Sequence, residues 1–158
     1  MLPENQRQIL QELVTSGRAN RAAKTAERAG IRVLLIGLGA IDKMMAVEFL
    51  TGELGADLLR VDLGAIVSKF IGETEKNLAR VFEAAEASHS ILFLDEADAL
   101  FGKRSEVKDS HDRFANIEVN YLLASIEEYK GIVILATSHK ENIDEAFLRR
   151  CRLVGDFC

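Results

Sequence analysis

Three stretches of this chain are apolar at every position: Val33-Leu34-Leu35-Ile36, Ile91-Leu92-Phe93-Leu94 and Ile132-Val133-Ile134-Leu135-Ala136. A strand with one wet face alternates apolar and polar residues, so a run without alternation needs cover on both sides, as in a parallel sheet. Strands are expected over 32–36, 57–61, 90–94 and 132–136, with a last one near 152–157. Helical spacing fills the intervals at 42–54, 73–87 (opened by Glu73-Thr74, read as a capping pair), 112–128 and 144–150. Strands and helices that alternate in this way predict an α/β fold, with a parallel sheet covered by helices on both faces. Ahead of the first strand, helices are expected over 4–15 and 18–29, parted at Gly17 and capped at Gly30.

The 158 residues suit one domain, 1–158, and neither an internal repeat nor a linker interrupts them. A net charge of −5 excludes a general electrostatic affinity for nucleic acid. No apolar stretch approaches the ~20 residues that span a bilayer. The start, Met1-Leu2-Pro3-Glu4-Asn5-Gln6, has no apolar signal core, so a cytoplasmic protein without membrane partners is expected. Cys151 and Cys158 have no Cys or His cluster at metal-ligand spacing and read as incidental thiols. The single proline, Pro3, contrasts with the roughly eight that ordinary usage gives, which raises the reading of an engineered or diverged sequence.

Ligands of open α/β sheets bind beyond the carboxyl ends of the strands. There the second apolar run, Ile91-Leu92-Phe93-Leu94, delivers Asp95-Glu96-Ala97-Asp98. In phosphoryl-transfer sites a first acid holds Mg²⁺ and a second polarises an attacking water. The same pair would equally serve as an acidic cap on a following helix. These residues alone leave both readings open.

With the rest of the chain, the sequence resembles the AAA+ family of ATPases from about Val33 to Phe157. Asp95 and Glu96 match the Walker B pair, and Phe70-Ile71-Gly72 matches the aromatic–aliphatic–Gly triplet of the pore loop. Ala136-Thr137-Ser138 occupies the sensor-1 position, where Asn is usual. The segment from Asp144 to Arg152 matches the part that supplies arginine fingers, with Arg149 and Arg152 at the finger positions. The resemblance implies a P-loop NTPase fold, a three-layer α/β/α sandwich with five parallel strands in the order 5-1-4-3-2. It also implies ATP and Mg²⁺ as cofactors and a homo-hexamer that remodels polypeptides. In that scheme Lys43 holds phosphates, with Gly37 and Gly39 in the loop, and Asp95 positions the metal. Glu96 activates water, Ser138 stands in for the sensor, and Arg149 and Arg152 act in trans. The helical lid that usually follows the core in this family is expected to be absent.

The phosphate loop departs from the family. A Walker A motif reads G-x-x-x-x-G-K-[ST], whereas this chain has Gly37-Leu38-Gly39-Ala40-Ile41-Asp42-Lys43-Met44. Gly37 and Lys43 keep their places, but Asp42 replaces the second glycine and Met44 the hydroxyl residue. Asp42 sets a negative charge where polyphosphate would lie, and two unit charges ~4 Å apart repel by roughly 4 kcal/mol at an effective dielectric of 20. Met44 offers a hard cation only a thioether. Weak ATP binding at best, with little or no hydrolysis, is the expectation. Two alternatives accompany it. One is an engineered α/β scaffold without ligand, in which Leu38, Ile41 and Met44 serve packing. The other is an NAD-type dinucleotide binder using Gly37-Leu38-Gly39, with Asp62 on a ribose hydroxyl.

Overall fold

The structure, a computed structural model, describes residues 3–23, 29–67, 70, 72–101, 110–138, 143 and 145–155. Its elements run α1 (Glu4–Ala22), β1 (Ile31–Ile36), α2 (Ala40–Leu54), β2 (Leu58–Asp62), α3 (Leu63–Ile66), α4 (Glu73–Ser88) and β3 (Ile91–Asp95). They continue with α5 (Asp98–Phe101), α6 (Ser110–Glu128), β4 (Ile132–Thr137), α7 (Glu145–Leu148) and β5 (Arg152–Gly155). The sheet has the order β2-β3-β4-β1-β5 with every pair parallel, which is the expected 5-1-4-3-2 order seen from the other edge.

The apolar runs explain the layering. Successive strand residues point to opposite faces, and both sets find cover. Leu34, Ile36, Leu92, Leu94, Val133 and Leu135 pack with residues of α3, α4, α6 and α7. The intervening Val33, Leu35, Ile91, Phe93, Ile132 and Ile134 pack with Leu10, Leu13 and Val14 of α1 and Ala46, Val47 and Leu50 of α2. The sandwich therefore has α1 and α2 on one face and α3 to α7 on the other.

Three expectations change. The first helix is not parted at Gly17. It is one element, Glu4–Ala22, and Gly17 is a buried residue within it. A Cβ at Gly17 would stand 3.1 Å from side-chain carbons of both Ile132 and Leu54, so the glycine brings α1 close to β4 and α2. Residues 24–28, the end of the second expected helix, lie outside the described ones, and Ala23, not Gly30, is the C-cap of α1. The second change is at α4, whose N-cap is Gly72 in the left-handed region with no side-chain cap, so Glu73-Thr74 is not a capping pair. Thr74 is instead fully buried. The third is that the short helices α3 and α5 were not expected. Among the described residues no helix is long and apolar enough to cross a membrane.

Cys151 packs at the margin of the α3–α7 face. Burial pushes its thiol up to about 12, Arg32 partly opposes that, and Glu127 adds to it. At neutral pH it stays a protonated thiol, in keeping with the incidental reading. Cys158 lies outside the described residues.

Candidate functional site

At the carboxyl edge of the sheet the chain leaves β1 through Gly37, Leu38 and Gly39 and enters α2 at Ala40. Gly37 has a positive φ of 64°, a conformation that glycine takes without penalty. Its N–H donates to the Thr137 carbonyl at 3.0 Å, which ties the loop to the end of β4. Gly39 is the N-cap of α2 in extended backbone, and the Lys43 N–H donates to the Gly39 carbonyl at 2.9 Å. Asp42 and Lys43 thus stand in the first turn of a regular helix. An acid there suits the positive end of the helix dipole, which gives Asp42 a local reason to exist that opposes phosphate binding.

β3 ends at Asp95, which is 3% exposed. Its Oδ1 accepts from Lys43 Nζ at 3.0 Å and from the Glu96 N–H at 2.9 Å. Its Oδ2 accepts from Arg60 Nη2, also at 3.0 Å. Burial by itself raises the Asp95 carboxyl. The bonds from Lys43, Arg60 and the Glu96 amide outweigh it and hold the group below its ordinary value. Arg60 had no place in the sequence reading. It lies opposite Phe93 in the β2–β3 register, with its guanidinium 5.7 Å from the centre of that ring.

Glu96 turns the chain away from the sheet with φ 57°, one of two positive-φ residues other than glycine among the described ones. Strain of this kind gathers at functional sites. The turn is held by the Asp95 contact and by the Ala97 N–H on the Ala136 carbonyl at 2.9 Å. Because a β-branched residue fits the left-handed region poorly, Glu96→Val is expected to be at least ~1 kcal/mol less stable than Glu96→Gly. Paired urea melts measure this, and equal midpoints would contradict the strained turn.

Asp98 opens α5, three residues past Asp95. It accepts from the Thr137 hydroxyl and, at 2.9 Å, from the Ser138 N–H, so it joins the start of α5 to the end of β4. Lys43, Asp95, Glu96 and Ser138 line one small cavity with Asp98 and Thr137. Its volume is about 30 Å³, roughly the share of one liquid water, whereas small-molecule sites run to ~300 Å³ or more. A cavity of about 450 Å³ lies at the opposite edge, between Asn20, His89 and Tyr129, and takes in none of the expected site residues.

The residues do not fit a divalent cation at Asp95. Both carboxylate oxygens already accept from cationic side chains, Met44 supplies no oxygen, and Mg²⁺ requires near-octahedral oxygen donors with several waters. Among the described residues no group of three or more His, Cys, Asp or Glu could hold a metal ion.

The remaining expected residues lie elsewhere. Arg149 is exposed and 3.7 Å from Glu145, and Arg152 pairs with Glu12 of α1. Arg152 is in register with Val33, three residues short of Ile36, so it sits about 10 Å below the carboxyl edge along the strands. Phe70 is 76% exposed, ahead of Gly72. Ile71 and Asp144 lie outside the described residues. Asp62 is the N-cap of α3, accepting from the Gly64 N–H at 2.8 Å. This gives the acid on which the dinucleotide reading relied a local structural duty as a helix cap.

Comparison with known proteins agrees with this geometry. The family model described as "ATPase family associated with various cellular activities (AAA)" matches residues 33–157. The chain is 37% identical over 123 residues to the ATPase family gene 2 protein of Schizosaccharomyces pombe, covering 77% of the chain and 15% of that protein. It is 36% identical over 122 residues to the proteasome-activating nucleotidase of Aeropyrum pernix, 74% of the chain and 30% of that protein. To spastin of Sus scrofa it is 31% identical over 151 residues, 91% of the chain and 24% of that protein. It thus spans less than a third of each of these relatives. With a parallel 5-1-4-3-2 sheet, an Asp-Glu pair closing β3 and a family match over most of its length, the chain belongs to the AAA family of ATPases.

Proposed function

We propose that this chain is an AAA ATPase core whose phosphate-binding loop is disabled, so that it binds Mg-ATP weakly at best and hydrolyses it little or not at all. The observation that carries this reading is the Lys43–Asp95 ion pair at 3.0 Å. The lysine for phosphate and the acid for metal satisfy each other, with side chains only 16% and 5% exposed. The start of α2 at Ala40 supports the same reading. It makes a helical turn of the residues that would otherwise curl around phosphates, with Asp42 in the way.

The family roles of the other residues belong to this proposal. Glu96 lines the cavity as the base, with Ser138 beside it in the sensor position. Arg149 and Arg152, set back from their own site, serve a neighbouring copy in a ring of like subunits. Phe70, with Ile71 and Gly72, faces a polypeptide, and its exposure suits that duty. Proteasome-activating nucleotidase is named for a protein partner, which agrees with a polypeptide as the substrate class.

Calorimetric titration with Mg-ATP tests the reading, run on the parent beside Asp42→Gly/Met44→Thr. Removing one misplaced charge and restoring a hydroxyl ligand is expected to tighten binding more than roughly tenfold, since half of the ~4 kcal/mol repulsion already suffices. Micromolar binding by the parent would refute the disabled loop.

A further inference from the structure

The Lys43–Asp95 pair accounts for only half of the Asp95 carboxylate. Oδ1 accepts from Lys43 Nζ and the Glu96 amide, while Oδ2 faces β2 and accepts from Arg60 Nη2 at 3.0 Å. Arg60 is also held from the side, its guanidinium 5.7 Å from the ring centre of Phe93, a residue with no exposed surface. A planar guanidinium keeps its charge at any accessible pH and is positioned by ring stacking as well as by hydrogen bonds. We infer that Arg60 acts as a built-in replacement for the divalent cation: it saturates the second oxygen of Asp95 and keeps metal off the site.

This deepens the reading of a disabled phosphate loop and adds a second, separable cause. Repairing Asp42 and Met44 restores a phosphate cradle and a hydroxyl, yet leaves both oxygens of Asp95 taken. Lys43 and Arg60 each donate to one oxygen of Asp95, so an incoming divalent ion must displace a cationic donor to reach either one. Arg60 is nevertheless the member open to exchange. Its side chain is 53% exposed, against 16% for Lys43, and an exposed ion pair is worth little. Arg60 is therefore a specificity-determining residue of the site and touches no reacting atom.

The test reads metal alone, without nucleotide, so its outcome is independent of the ATP titration. Mn²⁺ is titrated into the parent, Asp95→Asn, Arg60→Met, Arg60→Gln and Arg60→Met/Asp95→Asn, with free Mn²⁺ followed by electron paramagnetic resonance. Circular dichroism melts show which variants are folded, and the glutamine variant keeps a hydrogen-bond donor without the charge. The parent is expected to bind no Mn²⁺ sensitive to Asp95, both single variants to bind at least ten times more tightly, and the double variant to lose that gain. The inference is overturned if neither folded single variant gains affinity, or if the parent already binds Mn²⁺ and Asp95→Asn abolishes it.

Discussion

Phe93→Ala is expected to lower the unfolding free energy by about 4 kcal/mol, within the ~3–5 kcal/mol that buried Phe-to-Ala truncations cost. Phe93 is fully buried at the centre of β3, between β2 and β4, and it belongs to the α1–α2 core with Leu10, Leu50 and Ile134. Strands on both sides and helices above leave little room for the surroundings to close over the void. A domain of this size has roughly 5–15 kcal/mol in total, so the variant approaches the threshold of folding. Urea denaturation followed by circular dichroism measures it, with Phe70→Ala as the comparison. Phe70 is 76% exposed, and its truncation should change stability by no more than ~0.5 kcal/mol. A loss of less than ~2 kcal/mol for Phe93→Ala would mean that the core under the site is not packed as described.

The same residue shows why some of this fold was legible in the sequence and some was not. Short apolar runs rich in Ile, Val and Leu and set between turn residues fit strands buried on both faces, and the acid that ends one of them marks the carboxyl edge. The sheet, its parallel sense and the place of Asp95 and Glu96 could therefore be read directly. Strand order came only with the family resemblance, because periodicity says nothing about which strands are neighbours. Arg60 was missed for a related reason. A charge inside a strand reads as the mark of an edge, and its partner Asp95 lies 35 residues on. Only the β2–β3 register, which sets Arg60 beside Phe93, makes the pair visible. Gly17 was misread because a glycine between helical segments signals a break as readily as a close approach, and only its contacts with Ile132 and Leu54 decide. The loop departures at Asp42 and Met44 were legible as chemistry. That α2 would begin as early as Ala40 was not, because helix boundaries depend on which amides find partners in the tertiary fold.

Asp95→Ala is expected to destabilise the chain by roughly 3 kcal/mol, although it removes only a small side chain, because it leaves a mostly buried ammonium without its partner. The cost falls at the low end of the ~3–5 kcal/mol range for breaking a buried pair, since Arg60 can turn its half-exposed guanidinium to water. Asp95→Asn should cost less, because a carbonyl oxygen still accepts from Lys43. The informative variant removes the whole cluster. Buried ion pairs replaced by apolar residues of similar volume are often neutral or stabilising, so Lys43→Met/Asp95→Leu/Arg60→Met is expected to recover most of the loss. Recovery would mean that the cluster adds little net stability and is kept for another reason, its descent from a phosphate and metal site being the obvious one. If the triple variant is instead less stable than Asp95→Ala, the network itself holds β2, β3 and α2 together. In that case its charges are part of what joins α2 to the sheet at the carboxyl edge.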